Sequence, residues 1–257
     1  MDMIVKKKLS LKERYNLMTR DLDWTPTYQK PEDVFPYLTY EGIKIHDWSK
    51  FEDPFRMTMD AYWKYQAEKE RKLYAIIDAF NQNNGHLGVT DARYINSLKL
   101  FLTGVSPLEY MAHRGFAHVG RQFAGAGPRV ACQMQAVDEI RHFQTQVHSL
   151  SNYNKHYNGF QNWRHQHDRV WYLSVPKSFF DDAVSAGPFE FMVAIGFAFE
   201  YVLTNLLFVP FISAAAYNGD MGAMAFGFSA QSDESRHMTL GLEMIKFILE
   251  QDPDNLP

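Results

Sequence analysis

From Met59 onward, apolar and polar positions recur with the period of a helix rather than the two-residue alternation of a strand. Trp63, Ala67, Leu73, Ile77 and Phe80 mark one apolar stripe; Thr58 or Asp60 can cap its start, and Asn83, Asn84 and Gly85 can end it. Thr90 opens a second helix through Leu98, Phe101 and Leu102, expected to kink at Pro107 and run on to about Phe123, where Gly125, Gly127 and Pro128 punctuate the chain. A third helix is predicted over about residues 129–153, a turn and short helix around residues 176–182, and two long helices over about residues 188–217 and 219–250, joined by Asn218-Gly219. Short connections make antiparallel pairs of the second and third helices and of the last two. The expected fold is all-α: a four-helix bundle with additional helices.

Before residue 59 the pattern changes. Pro26, Pro31, Pro36 and Pro54 alternate with Trp24, Tyr28, Phe35, Tyr37 and Trp48, so residues 1–58 read as an irregular arm lying over another subunit, and residues 59–257 as one helical domain. The stretch from Phe191 to Tyr217 has the length to span a bilayer. Glu200 in its middle argues against that, because a charge at membrane depth is costly, and the alternative is a helix buried all round in the core.

Composition narrows the function. The chain has 257 residues, 46% of them apolar, enough for one large core. Its net charge of -4, with one short basic cluster from Lys6 to Arg14, gives no reason to expect a nucleic-acid partner. A single cysteine, Cys132, permits neither an intrachain disulfide nor a thiolate cluster and fits a reducing cytoplasm; Lys6, Lys7 and Lys8 interrupt anything like a signal peptide.

One pattern occurs twice. Asp138-Glu139-Ile140-Arg141-His142 and Asp233-Glu234-Ser235-Arg236-His237 are both Asp-Glu-x-Arg-His, ninety-five residues apart and each inside a predicted helix. Glu and His three residues apart lie one turn apart on one helix face, where both can bind the same metal ion. Two such pairs need further carboxylates from two other helices. Glu200, preceded by an apolar run, is one, and Glu109, the only acidic residue between Asp91 and Asp138, is the other. Glu109, Glu139, His142, Glu200, Glu234 and His237 together carry -4, which balances two divalent ions; ligands without thiolate suit iron, with manganese as the competitor. Asp138 and Asp233 are placed to orient the imidazoles, and Arg141 and Arg236 to neutralise those aspartates. His113 and His118 read as packing or surface residues, and His165 and His167 as interfacial or surface residues.

At these residues the chain resembles the large hydroxylase subunit of the bacterial multicomponent diiron monooxygenases, the group of soluble methane monooxygenase, toluene monooxygenases and phenol hydroxylase. The resemblance covers essentially the whole sequence, including the ligand intervals of 30, 3, 58, 34 and 3 residues. It implies a ferritin-like bundle with Glu109, Glu139 and His142 on one iron and Glu200, Glu234 and His237 on the other. It further implies that each motif aspartate approaches the histidine of the other helix, that Glu200 shifts when iron is reduced, and that Thr204, one turn after Glu200 and followed by Asn205, handles protons. Gln231 and Gln146 resemble the arene enzymes, and the segment from Phe247 to Asn255 is similar to that of phenol hydroxylase. A substrate pocket is expected around Val105, Ala112, Gln146, Phe199 and Phe208.

The implied reaction is oxygen-dependent hydroxylation of phenol to catechol. NADH supplies electrons through a separate flavin and iron-sulfur reductase, with a small coupling protein and smaller hydroxylase subunits as further partners in a hetero-oligomer. A toluene or benzene monooxygenase is the alternative; another ferritin-like diiron oxidoreductase or an iron-storage protein is the more distant one. Family subunits are about twice as long, so the chain is expected to be an N-terminal piece, inactive by itself.

Overall fold

The computed structural model describes residues 8–22, 27–34, 42–161 and 167–256. Lys6, Lys7, Trp24, Pro26, Phe35, Pro36, Tyr37 and His165 lie outside the described residues. The described helices include α1 (Leu11–Leu22), α2 (Pro31–Val34), α3 (Met59–Gln82), α4 (Ala92–Gly120), α5 (Ala126–Tyr153), α6 (Ser174–Ala186), α7 (Pro188–Tyr217) and α8 (Met221–Gln251). Short 3₁₀ turns join some of them, and there is no strand among the described residues. This is the expected all-α, ferritin-like bundle with extra helices.

Local chemistry sets the ends. Asp91, not Thr90, caps α4, its carboxylate accepting from the N–H groups of Arg93 (2.8 Å) and Tyr94 (3.0 Å). Asp220 caps α8 through Ala223 N–H at 3.0 Å, after a tight turn in which Gly219 takes φ +71°. α4 continues unbroken through Pro107. Proline removes one backbone donor, and burial on all sides from Phe101 to Glu109 holds the helix together across that gap.

Two apolar clusters fill the bundle. One includes Leu98, Val105, Leu150, Phe208 and Ala230; the other includes Ala112, Ala136, Ile195, Leu240 and Met244. Chain direction follows from the order in which each helix visits them: α4 and α8 run from the first to the second, α5 and α7 from the second to the first. Both predicted antiparallel pairs therefore form. Between the clusters lies a layer of buried polar residues to which all four helices contribute.

Two helices differ from expectation. The buried face of α3 is Tyr62, Gln66, Leu73, Ile77 and Phe80, one position away from the predicted start at Trp63 and Ala67, which are exposed. Tyr62 and Gln66 turn inward because buried carboxylates await them. α7 is the one described helix long and apolar enough to cross a membrane, yet only 33% of its most apolar window is buried, so it is not enclosed all round. Its inner side carries Glu200 and Thr204; Tyr201, Val202 and Leu206 face outward.

The arm is partly regular, since α1 is a helix and packs on α5. Its later stretch lies on this chain's own helix ends. Trp48 sits among Phe123, Phe189 and Phe247, with ring centroids 5.6–6.1 Å away. Asn255 and Gln251 clamp the backbone at Lys44, His46 and Asp47 through bonds of 2.8–3.1 Å.

Candidate metal centre

Each of the four long helices delivers its acidic residue into the polar layer. α5 and α8 present Glu and His one turn apart, so Glu139 with His142 and Glu234 with His237 share inward faces. α4 adds Glu109 and α7 adds Glu200, and all six side chains are buried.

The turn that carries Glu200 is unusual. α7 is π-helical over Ala194–Phe199 and again over Thr204–Phe208, leaving one α-turn, Glu200–Leu203, between them. The first π-helical stretch lies hard against α8: a Cβ at Gly241 would sit 2.0 Å from the Gly196 carbonyl oxygen. Gly241 is therefore what lets this backbone approach, and with it Glu200 reach the centre.

The imidazoles meet one shared cluster. His142 Nδ1 lies 3.3 Å from Glu234, 3.5 Å from Glu109 and 3.9 Å from Glu139. His237 Nδ1 lies 3.1 Å from Glu139, 3.2 Å from Glu234 and 3.8 Å from Glu200. Glu139 and Glu234 thus stand between both rings instead of each serving only its own helix. Two ligand groups result: Glu109, Glu139, His142 and Glu234 in one, Glu139, Glu200 and His237 in the other.

The far nitrogens are cross-paired. His142 Nε2 lies 3.1 Å from Asp233, and His237 Nε2 lies 3.3 Å from Asp138. Each aspartate thus holds the imidazole of the other motif, so that Nε2 donates and Nδ1 keeps its lone pair for the cluster. Arg141 reaches Asp138 at 3.1 Å, Arg236 bonds Asp138 closely and reaches Asp233 at 3.3 Å, and Lys69 from α3 bonds Asp233. With Glu70 on Arg141 at 2.8 Å, this outer layer has three anions and three cations.

The inner layer has no such balance. Among the described residues, no lysine or arginine forms an ion pair with Glu109, Glu139, Glu200 or Glu234. Burial, reinforced by Glu234 and Glu109, pushes the Glu139 carboxyl up to about 8, and burial with Glu234 and Glu139 raises Glu200 well above the carboxylate range. Burial opposes the charged form of both histidines, but the surrounding carboxylates overcome it and raise them well above ordinary histidine. His142 Nδ1 is buried without a hydrogen-bond partner although carboxylates surround it. An orphaned nitrogen and uncompensated carboxylates are the donor set that two divalent cations satisfy.

The remaining expected residues divide. Val105, Ala112 and Phe199 line, with Leu108, Phe180 and Leu203, a cavity of about 10 Å³ against Glu109, Glu139, Glu200 and Glu234. That is room for about one water. A wide apolar groove of about 570 Å³ adjoins it, sharing Val105, Leu108, Phe199 and Leu203. Phe208 is not at this cavity; it packs in the core against Phe101 and Phe226. Gln146 does not line it either: it donates to Glu109 at 2.9 Å and accepts from Ser106 at 2.7 Å. Asn205 is exposed and bonds the Tyr201 carbonyl at 2.7 Å, because the residue after the inward Thr204 points outward. Gln231 is half-buried, one turn before Glu234. Thr204 is buried, and its hydroxyl makes no hydrogen bond, unlike Thr145 and Ser149 of α5, which bond back to the preceding turn.

Among the other histidines, His113 bonds the Ala136 carbonyl and His118 contacts Gln122, as packing residues do. His167 is buried, not at the surface. Tyr110 and Tyr201 are exposed beside the site. Burial raises the Cys132 thiol to about 12, which leaves it inert.

Several site residues were not anticipated. Gln135 donates to Glu200 at 3.0 Å and Glu139 at 3.3 Å. Tyr62, Gln66 and Lys69 come from α3, outside the four ligand helices. Their signal was available, because spacings of four and three place these polar side chains on one face in line with Leu73.

Comparison with known proteins fits this geometry. Residues 24–252 match the family described as methane/phenol/alkene hydroxylase. The oxygenase component of phenol 2-monooxygenase from Pseudomonas sp. strain CF600 is 71% identical over 252 residues, covering 98% of this chain and 49% of that protein. The crystal structure of xenon-pressurised phenol hydroxylase from Pseudomonas sp. OX1 superposes with a TM-score of 0.91 at 71% identity, covering 98% of this chain and 51% of the other. Toluene 4-monooxygenase with bound toluene, at 18% identity and a TM-score of 0.78 over 98% of this chain and 84% of that one, shares the fold. The chain spans about half the length of the curated relatives it matches. The six buried glutamate and histidine side chains thus stand in a recognised sequence context: the chain belongs to the methane/phenol/alkene hydroxylase family.

Proposed function

We propose that this chain supplies the diiron site of an oxygen-dependent hydroxylase that converts phenol and related aromatic rings to catechols. The observation that carries this reading is the inner cluster, in which two cross-held histidines and four glutamates without protein cations adjoin an apolar cavity. The 71% identity to a phenol 2-monooxygenase component names the substrate class.

In this reading Glu109, Glu139, His142, Glu200, Glu234 and His237 would hold two iron ions. Bound there, iron supplies the redox chemistry that activates oxygen. The chain's own groups do the rest. Asp138 and Asp233 fix the imidazole tautomers, and Arg141, Arg236 and Lys69 pair with those aspartates. Gln146 holds Glu109, and Gln135 spans Glu139 and Glu200, so that Glu200 moves away from Glu139 only by breaking its bond to Gln135. Thr204, its hydroxyl free of the helix backbone, is positioned to hold or pass a proton one turn from Glu200. Val105, Ala112, Phe180, Phe199 and Leu203 exclude water, and side-chain movement at Phe199 and Leu203 would join the small cavity to the adjoining groove, large enough for a phenol ring.

The described residues 42–58 are read as a strap on the helical domain that begins at residue 59. Electrons from NADH through a separate reductase, a coupling protein, smaller hydroxylase subunits and a cytoplasmic setting complete the proposal. It is tested by combining the iron-loaded subunit with those partners and following NADH-dependent phenol oxidation. Catechol with one oxygen atom from O₂ is the expected product; oxidation of methane with no hydroxylated aromatics would overturn the substrate reading.

A further inference from the structure

Beyond the ligands, one uncharged side chain among the described residues donates to both motif aspartates. Gln66 of α3 is buried, and its Nε2 donates to Asp138 Oδ1 at 2.7 Å and to Asp233 Oδ1 at 2.9 Å. The orientation of this amide is fixed by chemistry, because two carboxylate oxygens demand a donor and the amide oxygen would repel both. Its own oxygen is left without a partner, so the contact with the aspartates decides how the side chain sits.

The bonds form one chain. His142 Nε2 donates to Asp233, Asp233 and Asp138 both accept from Gln66, and Asp138 accepts from His237 Nε2. Asp138 and Asp233 lie on different helices, and Gln66 lies on a third, so the two hydrogens of one amide group help to set the separation of the two aspartates. Tyr62 provides the contrast. Its hydroxyl donates to Asp138 at 2.7 Å, and no Tyr62 bond to Asp233 accompanies it. Arg141 and Arg236 also reach both aspartates and Lys69 bonds Asp233, but each of these brings charge; Gln66 links the two aspartates without charge, from a short, buried side chain.

We propose that Gln66 is a positioning residue that ties the two imidazoles together, so that both metal ions depend on it equally. The inference rests on the reading of the cluster as a two-metal site. Replacing Gln66 changes no charge, so its effect is geometric. Loosening one aspartate frees one histidine; loosening both frees the pair.

The test is anaerobic titration of the metal-free chain with Co²⁺, reading stoichiometry, the two dissociation constants and the paramagnetically shifted, exchangeable Nε2–H proton signals of the two histidines. The native chain is expected to bind two ions and show two such signals. In Gln66→Met both ions should bind about 10-fold more weakly, and both protons should shift and exchange faster, the scale seen when a hydrogen-bonded support of a metal ligand is lost. Tyr62→Phe should disturb only the His237 signal and its ion. Gln66→Asn draws the amide back by one methylene; it should give the same paired loss and covers the case in which Gln66→Met does not fold. Unchanged constants and signals in the folded Gln66 variants, or a change confined to one histidine, would overturn the proposal while leaving the two-metal reading intact. A native chain that fails to bind two ions would overturn both.

Discussion

Gly241→Ala tests how packing sets the metal centre. The added Cβ would lie 2.0 Å from the Gly196 oxygen, 2.6 Å from its carbonyl carbon and 3.0 Å from Phe197 Cα, all of them backbone atoms. Ordinary contact begins near 3.4 Å, so the π-helical stretch of α7 must retreat by about 1.4 Å. Glu200 begins the next turn and moves with it. Overpacking of this kind costs about 1–3 kcal/mol, which for a chain of this size lowers the melting temperature by about 2–12 °C. A ligand displaced by about 1 Å should weaken its ion by roughly 10- to 100-fold. The loss should fall on the ion served by His237 and Glu200, with the ion served by His142 and Glu109 changed far less. Gly196→Ala is the control, since its Cβ meets the flexible end of Met192 at 3.1 Å, and it should be nearly neutral. Thermal melts and a two-site metal titration measure both effects. A Gly241→Ala protein that melts within a degree of the native chain and binds two ions with native affinity would refute the claim that this close approach places Glu200.

Thr204→Val removes a buried hydroxyl that has no partner and keeps the shape, so metal binding should not change and stability should hold or rise by up to about 1 kcal/mol; a loss above 1 kcal/mol on chemical denaturation would show that the hydroxyl is already bonded. Asp220→Ala strips the α8 cap and leaves the hydroxyls of Tyr94 and Tyr153, at 3.0 and 2.6 Å, without their acceptor, for a loss of about 3–5 kcal/mol by the same measurement. The metal-free chain should lose stability as pH rises from about 5 to 8: Glu139 and Glu200 have folded values above their unfolded ones, as do His142 and His237, so each favours folding while protonated and ceases to as pH passes its folded value. The stabilisation conferred by added metal should increase over the same range, because binding needs those protons gone, and melting temperatures with and without metal at pH 5, 6.5 and 8 check this.

The doubled motif made the ligands legible, because spacings of three fix a helix face whatever the tertiary detail, and Glu109 and Glu200 stood out as isolated charges on apolar helices. Chain direction was legible too, since Asn218-Gly219 leaves no length for anything but a reversal. What was hidden depends on contacts between helices. The inward rotation of α3 is driven by Asp138 and Asp233, residues far along the chain, and an apolar stripe starting at Trp63 reads equally well locally. The π-helical turns of α7 have no periodic signature, and they require Gly241, forty-five positions from Gly196. Phe208 sits one turn after Thr204 and looked like a pocket residue, yet the second π-helical stretch places it against Phe101 in the core. Gln146 was found as a position but not in its role, because the partner that defines that role, Glu109, lies on another helix.

The most direct test of the central claim is a crystal structure of the chain loaded anaerobically with ferrous iron, read by anomalous scattering at the iron edge. Two iron peaks are expected between α4, α5, α7 and α8, one bonded to His142 Nδ1 and the other to His237 Nδ1 at about 2.0–2.2 Å, with Glu139 and Glu234 reaching both. A single peak, or iron held elsewhere while these two nitrogens remain in contact only with carboxylates, would contradict the account.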